Sequence, residues 1–327
     1  MAFMKKINTR AKTTSGTGFG NAAEYYGGRL INKDGSPNVK KSGIGFLERY
    51  SWYHSMLAMS GTTFFLVILL FFIVVNTLFA VIYYSIGIEH LAGMNRGSGI
   101  TEFGEAFFFS AQTFTTVGYG RISPTGFLTS AVSSIQALIG LLSFAVATGL
   151  MYGRFSRPKA YLKFSGNALI SPYKEGAALM FRLAPFKNAT LTDIECKVVM
   201  GMTIEEHGKM INRFFPLDLE LDKVNVLTLN WTLVHPISEN SPLQQFTKTD
   251  FEKLNGEIIV FIKAFDDMFS NTVVSRTSYA FSEVVFGAKF SPMFHRDIQN
   301  SITVLDLGKL NEFEEAALPV SGITSAS

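Results

Sequence analysis

The sequence predicts two architectures in one chain: a membrane-embedded α-helical module of two spans with a re-entrant helix between them, and after it an all-β domain. Three observations carry this. No Asp, Glu, Lys or Arg occurs between Arg49 and Glu89, and none between Arg121 and Arg154. Each stretch is long enough for the roughly 20 apolar residues a span requires, and each is apolar on every face, which a one-sided soluble core helix is not. After Pro158 the pattern changes to short alternating runs divided by turn residues, the signature of strands.

Composition sets the outer limits. The chain has 327 residues, of which 47% are hydrophobic and 17% charged, with a net charge of +3. That is too apolar for a disordered chain and too mildly basic, without a basic block interleaved with aromatics, for nucleic-acid binding. The single cysteine, Cys196, forms no intrachain disulfide. Lys5, Lys6, Arg10 and Lys12 are not followed by an apolar core at signal-peptide distance, so no cleaved leader is expected.

The first span has its apolar core at 62–86. Lys and Arg crowd the segment before it, and Arg154, Arg157, Lys159 and Lys163 follow the second, whereas the segment between the spans holds Arg96 and Arg121 against Glu89, Glu102 and Glu105. The positive-inside rule then puts both termini in the cytoplasm and the connection outside. Upstream, Phe46, Tyr50, Tyr53 and Leu57 recur at helical spacing among polar residues, predicting an amphipathic helix over 43–58 on the inner membrane face. A simple extension of the first span is the other reading.

In the connection, Thr101 is placed to cap a helix carrying Glu102 and Glu105 in its first turn, with Phe103 to Phe114 as a short apolar helix. It is too short to span, so it dips into the membrane and returns. The return limb reads Thr115-Thr116-Val117-Gly118-Tyr119-Gly120, and this string resembles the ion-selectivity filter of potassium channels. In such a filter, four copies present backbone carbonyls that replace the water shell of K⁺, here at Thr116, Val117, Gly118 and Tyr119. Gly118 and Gly120 permit backbone regions that a Cβ disfavours, and Tyr119 is expected to pack outward against the re-entrant helix. One loop makes no ring, so a homotetramer is implied.

Within the second span, Gly140 offers either a bend or a close small-to-small contact, and Gly149 the same nearer the inner end. Tyr152 stands at the cytoplasmic mouth, where four copies would form a constriction; an interfacial belt tyrosine is the competing reading. Arg154, Arg157 and Lys159 are placed to meet anionic headgroups, although topology alone also puts basic residues there.

In the second half the runs Ala177 to Leu183, Val224 to Val234, Glu257 to Phe265 and Thr272 to Phe281 read as strands of a sandwich. A short helix near Thr249 to Leu254 would open on a Thr249/Glu252 capping box. His207, His235 and His295 are scattered, without metal-ligand spacing, and no nucleophile elbow or phosphate loop occurs.

The order of elements resembles the inward-rectifier potassium channels, in particular their prokaryotic KirBac group. The matching stretches are Gln136-Ala137-Leu138-Ile139-Gly140, Ser156-Arg157-Pro158-Lys159, Phe164-Ser165-Gly166-Asn167-Ala168-Leu169-Ile170, Ser241-Pro242-Leu243, Arg276-Thr277-Ser278-Tyr279 and Val285-Phe286-Gly287-Ala288-Lys289-Phe290. The resemblance implies a membrane pore module of two transmembrane helices plus a re-entrant pore helix, with a C-terminal all-β immunoglobulin-like cytoplasmic domain. It further implies a homotetramer conducting potassium ions with no cofactor and no catalysis. Gating through a slide helix and by anionic lipids such as phosphoinositides, with Tyr152 at the bundle crossing and 154–159 in lipid contact, is also implied. Two departures stand out. Phe144 occupies the position where strong rectifiers carry an acid, so weak rectification is expected, and Gln112 replaces a pore-helix glutamate, which puts the ion pair behind the filter in doubt. The flanking extracellular cysteines of animal relatives are missing, which points to a bacterial inner membrane.

The expected parts are a cytoplasmic segment 1–42, the slide helix 43–58, the pore domain 59–157, the β-sandwich 158–315 and a loose tail 316–327. Two other readings make different demands. A membrane-anchored binding module needs no filter, and a channel gated by nucleotide or calcium needs a glycine fingerprint or an acidic loop that the β half lacks.

Overall fold

The computed structural model describes residues 12–14, 29–43, 45, 51–187, 190–206 and 209–319. The chain divides into two compact units, one of residues 42–157, the other of residues 158 onward together with the segment up to 41.

The membrane unit begins with α1 (Trp52–Ala58), capped by the Ser51 hydroxyl, which accepts from the His54 amide. Met59 and Ser60 are extended, and the Ser60 hydroxyl accepts from Thr63 to start a new helix, α2 (Gly61–Ile86). The chain therefore breaks before the first span, and the extension reading fails. Tyr53 and Leu57 lie in α1; Phe46 and Tyr50 fall outside the described residues. The 26 residues of α2 reach about 39 Å at 1.5 Å per residue, enough to cross a hydrocarbon core with some tilt.

The re-entrant helix α3 (Gly99–Phe114) starts earlier than the Thr101 cap expected from the sequence. Ser98 holds the extended N-cap conformation and its carbonyl accepts from Glu102, which leaves Thr101 inside the first turn. A two-residue ribbon, β1 (Leu91–Ala92) with β2 (Ser123–Pro124), ties the segment before α3 to the segment after the 115–120 string. The second span is α4 (Phe127–Phe155), 29 residues without a break.

In the β unit two five-stranded sheets share one core. One contains β6 (Leu191–Glu206), β7 (Lys209–Pro216), β8 (Lys223–Leu227), β10 (Gly256–Asp266) and β11 (Asn271–Ala280). The other contains β3 (Leu162–Phe164), β4 (Ala168–Tyr173), β5 (Gly176–Pro185), β9 (Trp231–Pro236) and β12 (Val284–Phe286), with only β12 parallel to its neighbour. Alternate residues face inward: Leu179, Phe181 and Leu183 from β5 meet Ile194, Cys196 and Val198 from β6 and Ile258, Val260 and Ile262 from β10. Two ribbons, β13 (Ala288–Phe290) with β16 (Phe313–Glu315) and β14 (Phe294–Asp297) with β15 (Ile302–Leu305), complete the unit.

Three expectations require correction. The run Val224 to Val234 is two strands in different sheets, because residues 228–230 carry the chain from β8, paired with β6, to β9, paired with β5. The short helix α5 (Lys248–Lys253) opens on Thr247 and Asp250, not Thr249 and Glu252; the Asp250 carboxylate accepts from both the amide and the hydroxyl of Thr247. Residues 316–319 are not a loose tail, since the Ala316 amide donates to the Gly287 carbonyl and Leu318 packs on the core; 320–327 lie outside the described residues.

The segment before the membrane unit is not an independent arm. Ile31 is buried, and the Glu257 carboxylate accepts from the amides of Leu30 (2.7 Å) and Ile31 (3.1 Å). Arg29 pairs with Glu283 and donates to Ser278, while Lys33 lies 4.0 Å from the Tyr279 ring centroid. Burial holds the Lys33 ammonium below its usual range despite Glu283 beside it, and burial raises the Tyr279 hydroxyl. The sequence reading missed this docking because its anchors lie some 230 to 250 residues away in the chain.

Candidate functional site

The residues 115–120 leave the C-terminal end of α3 by a set of backward-pointing amides. Thr115 N–H donates to Ala111 O, Thr116 N–H to Thr113 O, and both Val117 and Gly118 N–H to Gln112 O, at 3.0 and 3.4 Å. These bonds use the orphan carbonyls that any helix end exposes, so the helix terminus and the string form one piece. Gln112, singled out for lacking a charge, contributes through its backbone.

The backbone then alternates in hand. Thr116, Gly118 and Gly120 have φ of 59°, 53° and 81°, while Val117 and Tyr119 between them stay on the negative side. Alternation of this kind turns successive carbonyls toward the same side of the chain. Thr116 is the member that the sequence did not mark, because only the glycines signal a left-handed backbone. Among the described residues, no carbonyl of 116–120 accepts a hydrogen bond. The end of α3 adds partial negative charge to the same place, which favours a cation.

The Tyr119 side chain is 79% exposed in the single chain.

Behind the string, Arg121 forms an ion pair with Glu105 of α3 and approaches the Gly93 carbonyl at 3.4 Å; Asn95 donates to the other Glu105 oxygen at 3.3 Å. An ion pair therefore does brace this region, although Gln112 takes no part in it. A Cβ on Gly93 would lie 1.7 Å from the Arg121 carbonyl, and its φ of 86° independently calls for glycine.

On α4, Gly140 has a packing reason: a Cβ there would lie 2.0 Å from the Phe114 carbonyl at the end of α3. The helix runs through it without interruption. Nothing lies within 4 Å of the Cβ position of Gly149. Phe144 and Tyr152 are exposed, as are Arg157 and Lys159. Arg154 departs from its expected role in lipid contact: it donates to the carbonyls of Met56 and Met59 and lies 5.3 Å from the Phe64 ring. It satisfies the carbonyls that the end of α1 leaves open.

In the β unit His235 is buried, with Nδ1 2.6 Å from the Asp218 carbonyl and Nε2 2.8 Å from the Ser241 hydroxyl. It is a packed histidine and not a ligand. His295 is exposed, and His207 lies outside the described residues. No group of three metal-ligating side chains occurs among the described residues.

Comparison with known proteins matches residues 162–326 to the inward rectifier potassium channel C-terminal domain and residues 67–157 to an ion channel family. The inward rectifier potassium channel Kirbac3.1 of Paramagnetospirillum magnetotacticum is 32% identical over 292 residues, covering 88% of this chain and 96% of that one. The human G protein-activated inward rectifier potassium channel 2 is 25% identical over 319 residues, covering 89% of this chain and 73% of that one. The mouse G protein-activated inward rectifier potassium channel 4 is 29% identical over 224 residues, covering 63% of this chain and 49% of that one. With two membrane-spanning helices, a re-entrant helix ending in the 116–120 string and a β-rich C-terminal domain, the chain belongs to the inward rectifier potassium channel family.

Proposed function

We propose that four copies of this potassium channel subunit surround one pore and that Thr116, Val117, Gly118, Tyr119 and Gly120 are its selectivity filter. The alternating hand of residues 116, 118 and 120 carries this reading, because it is the backbone geometry a column of cation-coordinating carbonyls needs. A left-handed non-glycine residue costs about 1–2 kcal/mol, so Thr116 holds its conformation only where its surroundings impose it. The unbonded carbonyls at membrane depth support the same reading, since such groups are tolerated in a membrane only when they line a cavity. The exposed Tyr119 and Val117 side chains then pack against neighbouring copies.

The pore-lining helix is α4. Phe144, without charge, leaves no carboxylate ring to hold magnesium or polyamines, so rectification is weak. Tyr152 forms the inner constriction. Arg157 and Lys159 meet anionic lipid headgroups, phosphoinositides among them, and α1 is the end of a slide helix that Arg154 ties to α4. Both termini lie in the cytoplasm of a bacterial inner membrane, and K⁺ passes without cofactor or catalysis.

Ion flux through the purified protein in liposomes tests this. Potassium and rubidium should pass while sodium passes at least tenfold more slowly; equal sodium and potassium flux would overturn the filter. Neutralising Arg157 and Lys159 together should abolish the dependence of flux on anionic lipid, and an unchanged dependence removes the lipid site alone.

A further inference from the structure

The membrane unit contains a buried polar chain that the filter reading does not use. Asn76 and Tyr83 of α2, Ser110 of α3 and Gln136 of α4 are each wholly buried. Tyr83 O–H donates to Gln136 Oε1 at 2.6 Å. Gln136 Nε2 donates to both the Ser110 hydroxyl (2.6 Å) and the Ser110 carbonyl (3.0 Å). The Ser110 hydroxyl donates to Asn76 Oδ1 at 2.8 Å, and Asn76 Nδ2 donates to the Phe72 carbonyl at 2.8 Å.

Each side-chain nitrogen and hydroxyl in this chain donates to at least one acceptor, and every link runs in one direction. Both amide hydrogens and the oxygen of Gln136 are used, so its amide has one orientation and cannot flip without losing bonds. In hydrocarbon no water replaces a lost partner. Polar side chains at membrane depth are rare and face the bundle interior, which makes such a cluster a sign of function.

From this we infer that Gln136 is a positioning residue for the filter, holding the re-entrant helix at the register that places residues 116–120. The linkage is short. Gln136 grips the Ser110 turn; two residues on, the Gln112 carbonyl holds the amides of Val117 and Gly118. One turn along α4, Gly140 lets the Phe114 carbonyl approach to where a side chain would otherwise stand. Gln136 and Gly140 lie on one stripe of α4, one supplying hydrogen bonds and the other a close approach. Displacement of α4 therefore moves α3 and the filter amides together, and the selectivity of the pore depends on a side chain that does not touch the ion.

The inference rests on 116–120 being the filter, and the test separates the two. Sodium and potassium permeation are measured on the full chain in liposomes, normalised to tetramer content, for the wild type, Gln136→Met, Tyr83→Phe, Ser110→Ala and, as a control, Thr129→Val. Thr129 is buried on the same stripe and belongs to no link of the chain. A wild type that does not discriminate overturns the filter reading itself. With a discriminating wild type, Gln136→Met should lower the potassium-over-sodium ratio about tenfold, Tyr83→Phe about threefold, and their double variant no more than Gln136→Met alone. Thr129→Val should leave the ratio unchanged. If Gln136→Met does not assemble, Tyr83→Phe and Ser110→Ala decide the matter, each removing one hydroxyl. A ratio within twofold of wild type in every variant that assembles means the polar chain serves assembly alone, and the inference is wrong.

Discussion

Gln136 and Gly140 in the first half of α4 are buried, whereas Phe144 and Tyr152, one turn and three turns beyond Gly140, are 73% and 75% exposed. Both halves are apolar enough for a membrane, so hydrophobicity does not separate them. Partners do. One face of the first half packs on α2 and α3 of the same chain through hydrogen bonds and one backbone contact, while Phe127, Leu128, Ile135 and Leu138 on its other faces are exposed. Much of the second half is bare in a single subunit, apart from contacts such as Leu150 against Leu57 and Phe64 and the Arg154 links to the end of α1. The end of α4 beside the 116–120 string is thus held by contacts within one chain, while the end carrying Phe144 and Tyr152 leaves those rings open; in the proposed four-chain pore, contacts between copies would give the inner mouth its form.

The sharpest way to break this contrast is Gly140→Ala. The added methyl would meet backbone, which cannot rotate away, and overpacking of this kind costs about 1–3 kcal/mol per subunit. Expected outcomes are loss of most potassium flux and a lower unfolding temperature of the detergent-solubilised protein. Gly149→Ala, facing open space, should leave both nearly unchanged. If the two variants behave alike, the halves do not differ as described.

Tyr152→Ala examines the other half. Removing a ring on a residue that is 75% exposed gives up little packing within the chain, so stability should hold, while a wider mouth should raise potassium flux several-fold. Single-channel recording would show this as greater open probability at unchanged selectivity. A fall in flux would return Tyr152 to the role of an interfacial anchor.

The Glu105–Arg121 pair extends the contrast to the outer rim. Glu105 is 13% and Arg121 47% exposed, so solvent screens the pair in part and its contribution is about 1 kcal/mol. Glu105→Gln should therefore lower selectivity only two- to fivefold, with the difference from wild type shrinking as salt is raised. An effect independent of ionic strength would mean that Glu105 acts through its hydrogen bond from Asn95 and not through charge.

What the sequence made legible follows from where its signals lie. Charge-free runs located α2 and α4 closely, because a bilayer demands length and apolarity and little else. The left-handed backbone at 118 and 120 was readable because glycine marks that conformation. Thr116 was not, since threonine gives no sign of a positive φ that its neighbours impose. Strand β6 escaped notice because Asp193, with φ of 47°, sits where the pairing of β6 with β10 shifts register and interrupts the alternation of Leu191 with Ile194, Cys196 and Val198. The capping box moved by two residues because the run Thr247 to Glu252 offers two Thr-x-x-acid pairs, and only packing chooses between them. The Gln136 network was visible as four scattered polar residues, but no spacing rule joins residues 76, 83, 110 and 136.

The smallest expected effect concerns a buried polar group of the other unit. Burial pushes His235 below the ordinary histidine range, against the opposing influence of the Asp218 carbonyl and carboxylate. Nδ1–H donates to the Asp218 carbonyl and Nε2 accepts from Ser241, so the native state holds the neutral ring. Above a pH of about 6.5 the unfolded chain is neutral here too, and this group's contribution is fully present. As the pH falls below that value the unfolded state takes up a proton that the folded state refuses, and stability declines toward the depressed native value, by at most about 1.4 kcal/mol per pH unit. The unfolding temperature of the wild type should drop more between about pH 7 and 5.5 than that of His235→Gln, which loses some stability at neutral pH but cannot titrate. Parallel pH curves for the two proteins would mean that the ring accepts its proton without unfolding. The polar chain at Gln136 should show no such pH dependence, because Tyr83 is the only side chain in it that ionises and a phenol stays neutral throughout that range.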